Sequence, residues 1–437
     1  MPRTRTFISL VYLLTGTVSL VAEPILRPGQ IHRPVTGRNG AVAAAEPNAA
    51  AAGLEVLKNG GNAVDAAVTV GFCLAVTLPR AGNIGGGGFL LYHDGQSGQS
   101  HALDYREVAP HKAHHDMFLD AEVNVDPELS RYSPLASGVP GTVAGLIEAH
   151  RRFGTLPLAD LMAPAIRLAR EGFPVHEALR EQFTNVAQML KLLENFPLGQ
   201  RGHNSAQSTH ITVEVMKRAY ADRSKFLGDP DFFEVPGNQA MDMESPETTQ
   251  FFIVDAWGNA VSNTYTLNFS FGSGIMTHST GILLNNEMDD FSAKSGVPNA
   301  YGLIGGEANS VEPGKRPLSS MTPTLILRDG SIHGVTGSPG DSRIINTVLQ
   351  VILNLLVYEM NVAEANNAPR FHHQWLPDIL RIERGFPSDT LRMLKELGYQ
   401  TETSYTIGTA QTIVRDEEGL LSVASDPRRL GGTALAY

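Results

Sequence analysis

Hydrophobic positions recur with helical spacing in the first half of the chain and gather into short β-branched runs in the last third. Pro47 to Lys58 is Ala-rich and predicts a helix ended by Asn59-Gly60-Gly61. Asn62 then caps a second helix through Ala63, Val64, Ala67, Val68 and Phe72. Thr142 to Phe153 and Leu158 to Glu171 are amphipathic and joined at Gly154-Thr155-Leu156-Pro157, and Thr209 to Phe226 predicts another helix, halted by Gly228-Asp229-Pro230. After residue 247 the period changes. Thr248 to Asp255 and Ala260 to Leu267 predict a hairpin whose turn is Ala256-Trp257-Gly258-Asn259. Pro323 to Asp329, Ser331 to Thr336 and Thr409 to Ala424 are strand-like runs punctuated by Asp329-Gly330 and Glu418-Gly419, while Ile344 to Tyr358 predicts a helix. Such a mixture implies a layered α+β or α/β body.

With 437 residues, 42% of them hydrophobic, the chain can bury one large core or two ordinary ones. A net charge of −11 with no clustered Lys and Arg excludes a nucleic-acid surface, and Arg151-Arg152 and Arg428-Arg429 read as solvated pairs. The lone cysteine, Cys73, sits in an apolar run and reads as a buried small hydrophobe. Arg3 and Arg5 precede the apolar stretch Phe7 to Ala22, which predicts a signal peptide over residues 1–22 and export to a periplasm or the medium. Pro24 to Arg38 then reads as a loose leader, with structure starting near Gly40.

Two motifs are weighed and set aside. The run Gly85 to Gly88 lacks the Lys-Ser/Thr of a phosphate loop and reads as close backbone packing beside a strand, so no nucleotide is expected. His111, His114, His115, Asp116 and the pair His372-His373 lack a ligand constellation, so neither metal nor cofactor is expected.

Thr248 opens an apolar strand, and on that basis alone it reads as an ordinary strand start. Cleavage before it would place a hydroxyl and a free α-amino group on one residue, and that amine, with an unperturbed pKa of about 7.7–8.0, can act as the base. The surrounding blocks favour this chemistry. Gly82-Asn83-Ile84-Gly85-Gly86-Gly87-Gly88-Phe89, Asp104-Tyr105-Arg106-Glu107, Glu244 to Asp255, Leu283 to Phe291, Lys315 to Pro323 and Thr336 to Arg343 together closely resemble the γ-glutamyltranspeptidases, or glutathione hydrolase proenzymes, from about Gly37 to Tyr437.

The resemblance implies an αββα amino-terminal-nucleophile (Ntn) hydrolase fold, with a large-subunit region at 23–247 and a small-subunit region at 248–437. It further implies self-cleavage of the Glu247-Thr248 bond into a heterodimer, and a γ-glutamyl-enzyme ester that passes to water, amino acids or peptides in the breakdown of glutathione and other γ-glutamyl compounds. In that scheme Thr248 is the nucleophile and Thr266 hydrogen-bonds its hydroxyl. Arg106, Ser319 and Ser320 hold the substrate α-carboxylate, while Asn268, Glu287 and Asp290 recognise the α-amino group. The Gly340 region supplies the oxyanion hole, and the loop from Ser292 to Pro317, with Tyr301, forms a lid. Two features depart from the family. Asp341 stands where relatives have glycine, and long and short stretches are missing near Phe183 to Val186 and Pro236 to Met241. An inactive homologue that still binds γ-glutamyl ligands is the alternative these departures raise, and an acylase for other amides is a third.

Overall fold

A computed structural model describes residues 33–174, 248–404, 406–429 and 431–437. The expected signal peptide, the helix expected over Thr209 to Phe226, both shortened places and Glu247 lie outside the described residues.

Strands β1 (Val35–Gly37) and β2 (Gly40–Ala44) lead into α1 (Pro47–Lys58) and α2 (Ala63–Thr77). Then come β3 (Gly87–His93), β4 (Ser100–Asp104), α3 (Pro127–Tyr132), α4 (Thr142–Phe153) and α5 (Leu158–Glu171). From Thr248 onward the order is β5 (Thr249–Asp255), β6 (Ala260–Thr266), β7 (Thr324–Arg328), β8 (Ser331–Gly337), α6 (Arg343–Leu356) and α7 (Val362–Asn367). The remainder comprises β9 (Phe371–His372), β10 (Leu380–Glu383), α8 (Ser388–Glu396), β11 (Thr401–Ser404), β12 (Gln411–Arg415), β13 (Leu421–Ser425) and β14 (Thr433–Ala436).

Local chemistry explains the helix starts. The Glu46 carboxylate accepts from the N–H groups of Asn48 and Ala49, with Pro47 opening α1. Asn62 and Asp65 cap α2 reciprocally, so two otherwise orphaned donors are satisfied.

The strands build two antiparallel sheets, ordered β14-β2-β5-β6-β3-β4 and β1-β13-β12-β8-β7, beside a small third sheet, β11-β10-β9. Every residue of β5 and β6 is buried, because their alternate side chains serve two different cores. Phe251, Ile253, Val261 and Tyr265 pack with α1 and α2. Phe252, Val254 and Ala260 meet Ile332, Val335, Ile413 and Val423 of the second sheet, whose outer face carries α6 and α7. The layers are therefore αββα, as expected.

Two expectations need correction. The end of the leader is ordered, since Val35–Gly37 pairs with β13. Arg428 is not solvated: its side chain is almost wholly buried and bonds Glu383 Oε2 at 2.6 Å and Asp426 Oδ1 at 3.0 Å. Arg151, in contrast, is exposed and pairs with Glu148 one helical turn away. Cys73 is buried, as its apolar run indicates. Among the described residues no helix is long and apolar enough to cross a membrane.

Candidate active site

The hairpin register sets the first contact. Thr249 pairs with Tyr265, so Thr248 comes to lie beside Thr266 at the open end of the hairpin. The Thr248 hydroxyl donates to Thr266 Oγ1 at 3.3 Å, and Thr266 Oγ1 also accepts the Asn268 N–H at 2.8 Å. The first distance is long for O–H···O. The Gly85 to Gly88 run fixes this end of the sheet. A Cβ at Gly86 would collide with the Thr266 carbonyl, and one at Gly88 with that of Thr264, so only glycine lets the start of β3 pass. Asn83 Nδ2 then donates to the Thr266 carbonyl at 3.0 Å.

Thr248 opens onto a cavity of about 350 Å³ that is also lined by Arg106, Thr266, Asn268, Glu287, Asp290, Ser319, Ser320 and Asp341. That volume lies at the small end of the range for ligand pockets, about 300–1,000 Å³. Residues from distant parts of the sequence thus meet in one place. Gly340 does not line the cavity, whereas its neighbour Asp341 does.

Arg106 forms the charged floor. It is buried, not the surface residue that its neighbours in sequence suggest, and it donates to Glu287 Oε1, to Asp290 Oδ2 at 2.6 Å and to the Leu318 carbonyl at 3.3 Å. Asp104 accepts from Arg106 only its backbone N–H, at 2.9 Å, and pairs its charge with Arg316 at 3.3 Å. Glu107 Oε2 lies 3.6 Å from Arg106 Nη1. Burial lowers the basicity of Arg106, but the charges of Glu287, Asp290 and Glu107 outweigh it and hold the guanidinium firmly protonated. Burial likewise drives Glu287 well above the usual carboxylate range; Arg106 opposes the rise, and Glu107 and Asp290 add to it. One cation faces three carboxyl groups here.

Asn285, which the sequence reading did not single out, ties the segment together. It accepts the N–H of Gly138 at 2.9 Å and of Glu287 at 3.0 Å, and it donates to the carbonyl of Gly85 at 2.8 Å. Tyr301 of the expected lid is buried, and its hydroxyl donates to Asn268 Oδ1 at 2.6 Å. Burial, reinforced by the charge of Asp341, keeps that phenol well above its ordinary pKa.

Gly340 and Asp341 precede α6 with φ of 128° and 50°, both left-handed values, so Asp341 occupies a conformation that glycine adopts at less cost. The loop rests on a second buried cluster. Arg370 pairs with Asp426 at 2.7 Å and donates to the carbonyls of Ile407 and Gly408 at 3.0 and 3.1 Å. Gly408 lies against Gly340, and the Thr409 N–H donates to Ser338 Oγ at 3.0 Å. Arg429 Nη1 reaches the Thr248 carbonyl at 3.5 Å. The sequence signal for this cluster was Asp426 two positions before Arg428, which the fold turns into a buried ion pair.

His372 and His373 bond Gln374 and Asp378 within their own segment. His115 lies between Asp116 and Glu307, exposed, and among the described residues no group of three potential ligands is placed to hold a metal ion.

Comparison with known proteins agrees with this architecture. A family model described as gamma-glutamyltranspeptidase matches residues 49–186, 181–244 and 237–436, with its breaks at the two places where stretches are missing. The glutathione hydrolase proenzyme of Escherichia coli is 39% identical over 572 aligned positions, covering 98% of each chain. Since this chain has 437 residues, that relative carries residues with no counterpart here. The glutathione hydrolase proenzyme of Pseudomonas aeruginosa is 37% identical, covering 90% of this chain and 94% of its own. The crystal structure of cephalosporin acylase from Bacillus halodurans superposes with a TM-score of 0.71 at 22% identity, covering 95% of this chain and 99% of that one, which speaks for the fold. Matched from residue 49 to residue 436 by the family model and along nearly its full length by these relatives, the chain belongs to the γ-glutamyltranspeptidase family.

Proposed function

We propose that this chain is an exported γ-glutamyltransferase and glutathione hydrolase that matures by cleaving the Glu247-Thr248 bond. The freed Thr248 amine takes the hydroxyl proton while Oγ1 attacks the γ-carbonyl of the donor. The C–N bond breaks, the proton passes to the departing amine, and a γ-glutamyl ester remains on Thr248. Water, an amino acid or a peptide amine then attacks the ester and restores the hydroxyl. Thr266 positions the nucleophile, and the backbone N–H at Asp341, the member of the Gly340-Asp341 turn that lines the cavity, meets the oxyanion.

The observation that carries this reading is the charge imbalance beside the threonine. A buried cluster built for stability is balanced, as Arg370 and Arg428 are by Asp426 and Glu383. The cavity instead sets one guanidinium against both Glu287 and Asp290. An α-ammonium group supplies the missing positive charge, and the guanidinium fork, joined by Ser319 and Ser320, receives the α-carboxylate of the same donor.

The test is a chromogenic γ-glutamyl anilide assay with amino-terminal sequencing of the light chain. Thr248→Ala should leave one uncut chain and no anilide release, since one hydroxyl serves both steps. Parental activity in that variant would remove Thr248 from its role.

A further inference from the structure

Glu107 is the one member of the charged cluster that does not line the cavity. Its side chain is fully buried in a slot closed by backbone: a Cβ at Gly87 would lie 2.7 Å from Glu107 Oε2, and one at Gly138 2.9 Å from Glu107 Cβ. It cannot swing out to meet a ligand. Among the described residues no side chain hydrogen-bonds either carboxyl oxygen, the backbone N–H groups of Glu107 and Gly87 favour the charged form only weakly, and the 3.6 Å to Arg106 Nη1 is beyond hydrogen-bond range yet well within Coulomb range.

The groups around it are few. Tyr105 and Arg106 belong to its own segment, Glu287 and Asp290 come from the single turn Glu287–Asp290, and β3 and residue 138 offer only backbone. Were all three carboxyls ionised beside one guanidinium, the buried cluster would carry two uncompensated negative charges, an expensive arrangement. Glu287 and Asp290 touch Arg106 directly, and Glu107 does not.

We infer that Glu107 is a proton-holding positioning residue: neutral, it leaves the Arg106 charge to be shared only among Glu287, Asp290 and an incoming α-carboxylate, and ionised, it competes for that charge. The inference rests on the reading above that Arg106 receives the donor. Burial, opposed by Arg106, pushes the Glu107 carboxyl up to about 7, so the exchange falls near neutral pH. Burial also pushes Glu287 well above the usual carboxylate range, with Arg106 opposing the rise and the charges of Glu107 and Asp290 adding to it.

L-Glutamate as a competitive inhibitor of anilide release by matured protein gives the cleanest readout, because its own groups do not titrate between about pH 6 and 8. Its Ki should rise on the order of tenfold from pH 6 to pH 8, a factor set by roughly one pKa unit of difference between free and bound states. In Glu107→Gln the Ki should stay flat at the low-pH value. Calorimetry of glutamate binding to the unaltered protein at pH 7, in two buffers of different ionisation enthalpy, should reveal proton uptake, and it requires no variant to fold. A flat Ki in the parent, an unchanged slope in Glu107→Gln, lost binding in that variant at every pH, or heats independent of buffer would each overturn the inference. If glutamate fails to compete at all, the reading of the cavity falls and takes this one with it. If glutamate competes and Arg106→Lys raises its Ki while Glu107→Gln keeps the parental slope, the role of Glu107 alone is refuted.

Discussion

At the scale of single residues, Asp341 is where chemistry and backbone disagree. Its φ of 50° is a left-handed value, and its side chain lines the cavity into which Thr248 opens. A carboxylate there opposes negative charge developing on a substrate carbonyl, an effect felt in the transition state and hardly in the ground state. Asp341→Gly should therefore raise kcat by roughly tenfold while KM changes little, measured on protein whose cleaved fraction matches the parent. Equal kcat at equal cleavage would mean that the carboxylate points away from the oxyanion. Arg106 makes a second point. Its neighbours Asp104 and Glu107 suggest a local ion pair, but the fold gives its donors to Glu287 and Asp290, more than 180 positions away. Arg106→Lys should raise KM for γ-glutamyl donors, since an ammonium cannot replace a planar fork; an unchanged KM would make Arg106 purely structural.

At the scale of elements, the cluster of Arg370, Glu383, Asp426 and Arg428 holds the loop at 407–410 against the one at 338–341. Burial raises the pKa of Asp426, but the charges of Arg370 and Arg428 outweigh it, and the net shift is downward. A depressed carboxylate stabilises the fold above its unfolded pKa, near 3.9, and that contribution is lost as pH falls through the lower folded value. Asp426→Asn strands a buried guanidinium and should cost roughly 3–5 kcal/mol in denaturant unfolding near neutral pH, with the gap from the parent closing in acid. A loss below about 1 kcal/mol would show that the pair is solvated and marginal. The elements themselves were largely legible. Asn62, the turn at Gly258 and the break after residue 153 carry local signals; the observed α1, α4, α5 and the β5-β6 hairpin keep the expected bounds to within about a residue, and α2 starts where expected but runs on past Phe72 to Thr77. The strands β2 and β14 were missed, because Gly-Ala-Val-Ala-Ala and Thr-Ala-Leu-Ala carry little β-branched signal and become strands through pairing, β14 with β2 and β2 with β5.

At the scale of the molecule, the first sheet interleaves strands from either side of residue 248. Strand β2 lies between β14 and β5, and β6 pairs with β3. Cutting the chain before Thr248 severs one peptide bond but leaves those ladders and both cores in place. The two matured chains should therefore co-elute in native size exclusion and separate only in denaturant. Dissociation under native conditions would contradict this interleaving.

The sequence by itself determined the helix caps, the hairpin, the four-layer class through family resemblance, and the identity of the residues around the cavity, because each rests on local pattern or on a motif. Only the tertiary structure decided which charges meet. Ion pairing in a buried site depends on distance and desolvation between residues far apart in the chain, so the burial of Arg428, the isolation of Glu107 and the engagement of Arg106 with Glu287 leave no periodic trace in the sequence.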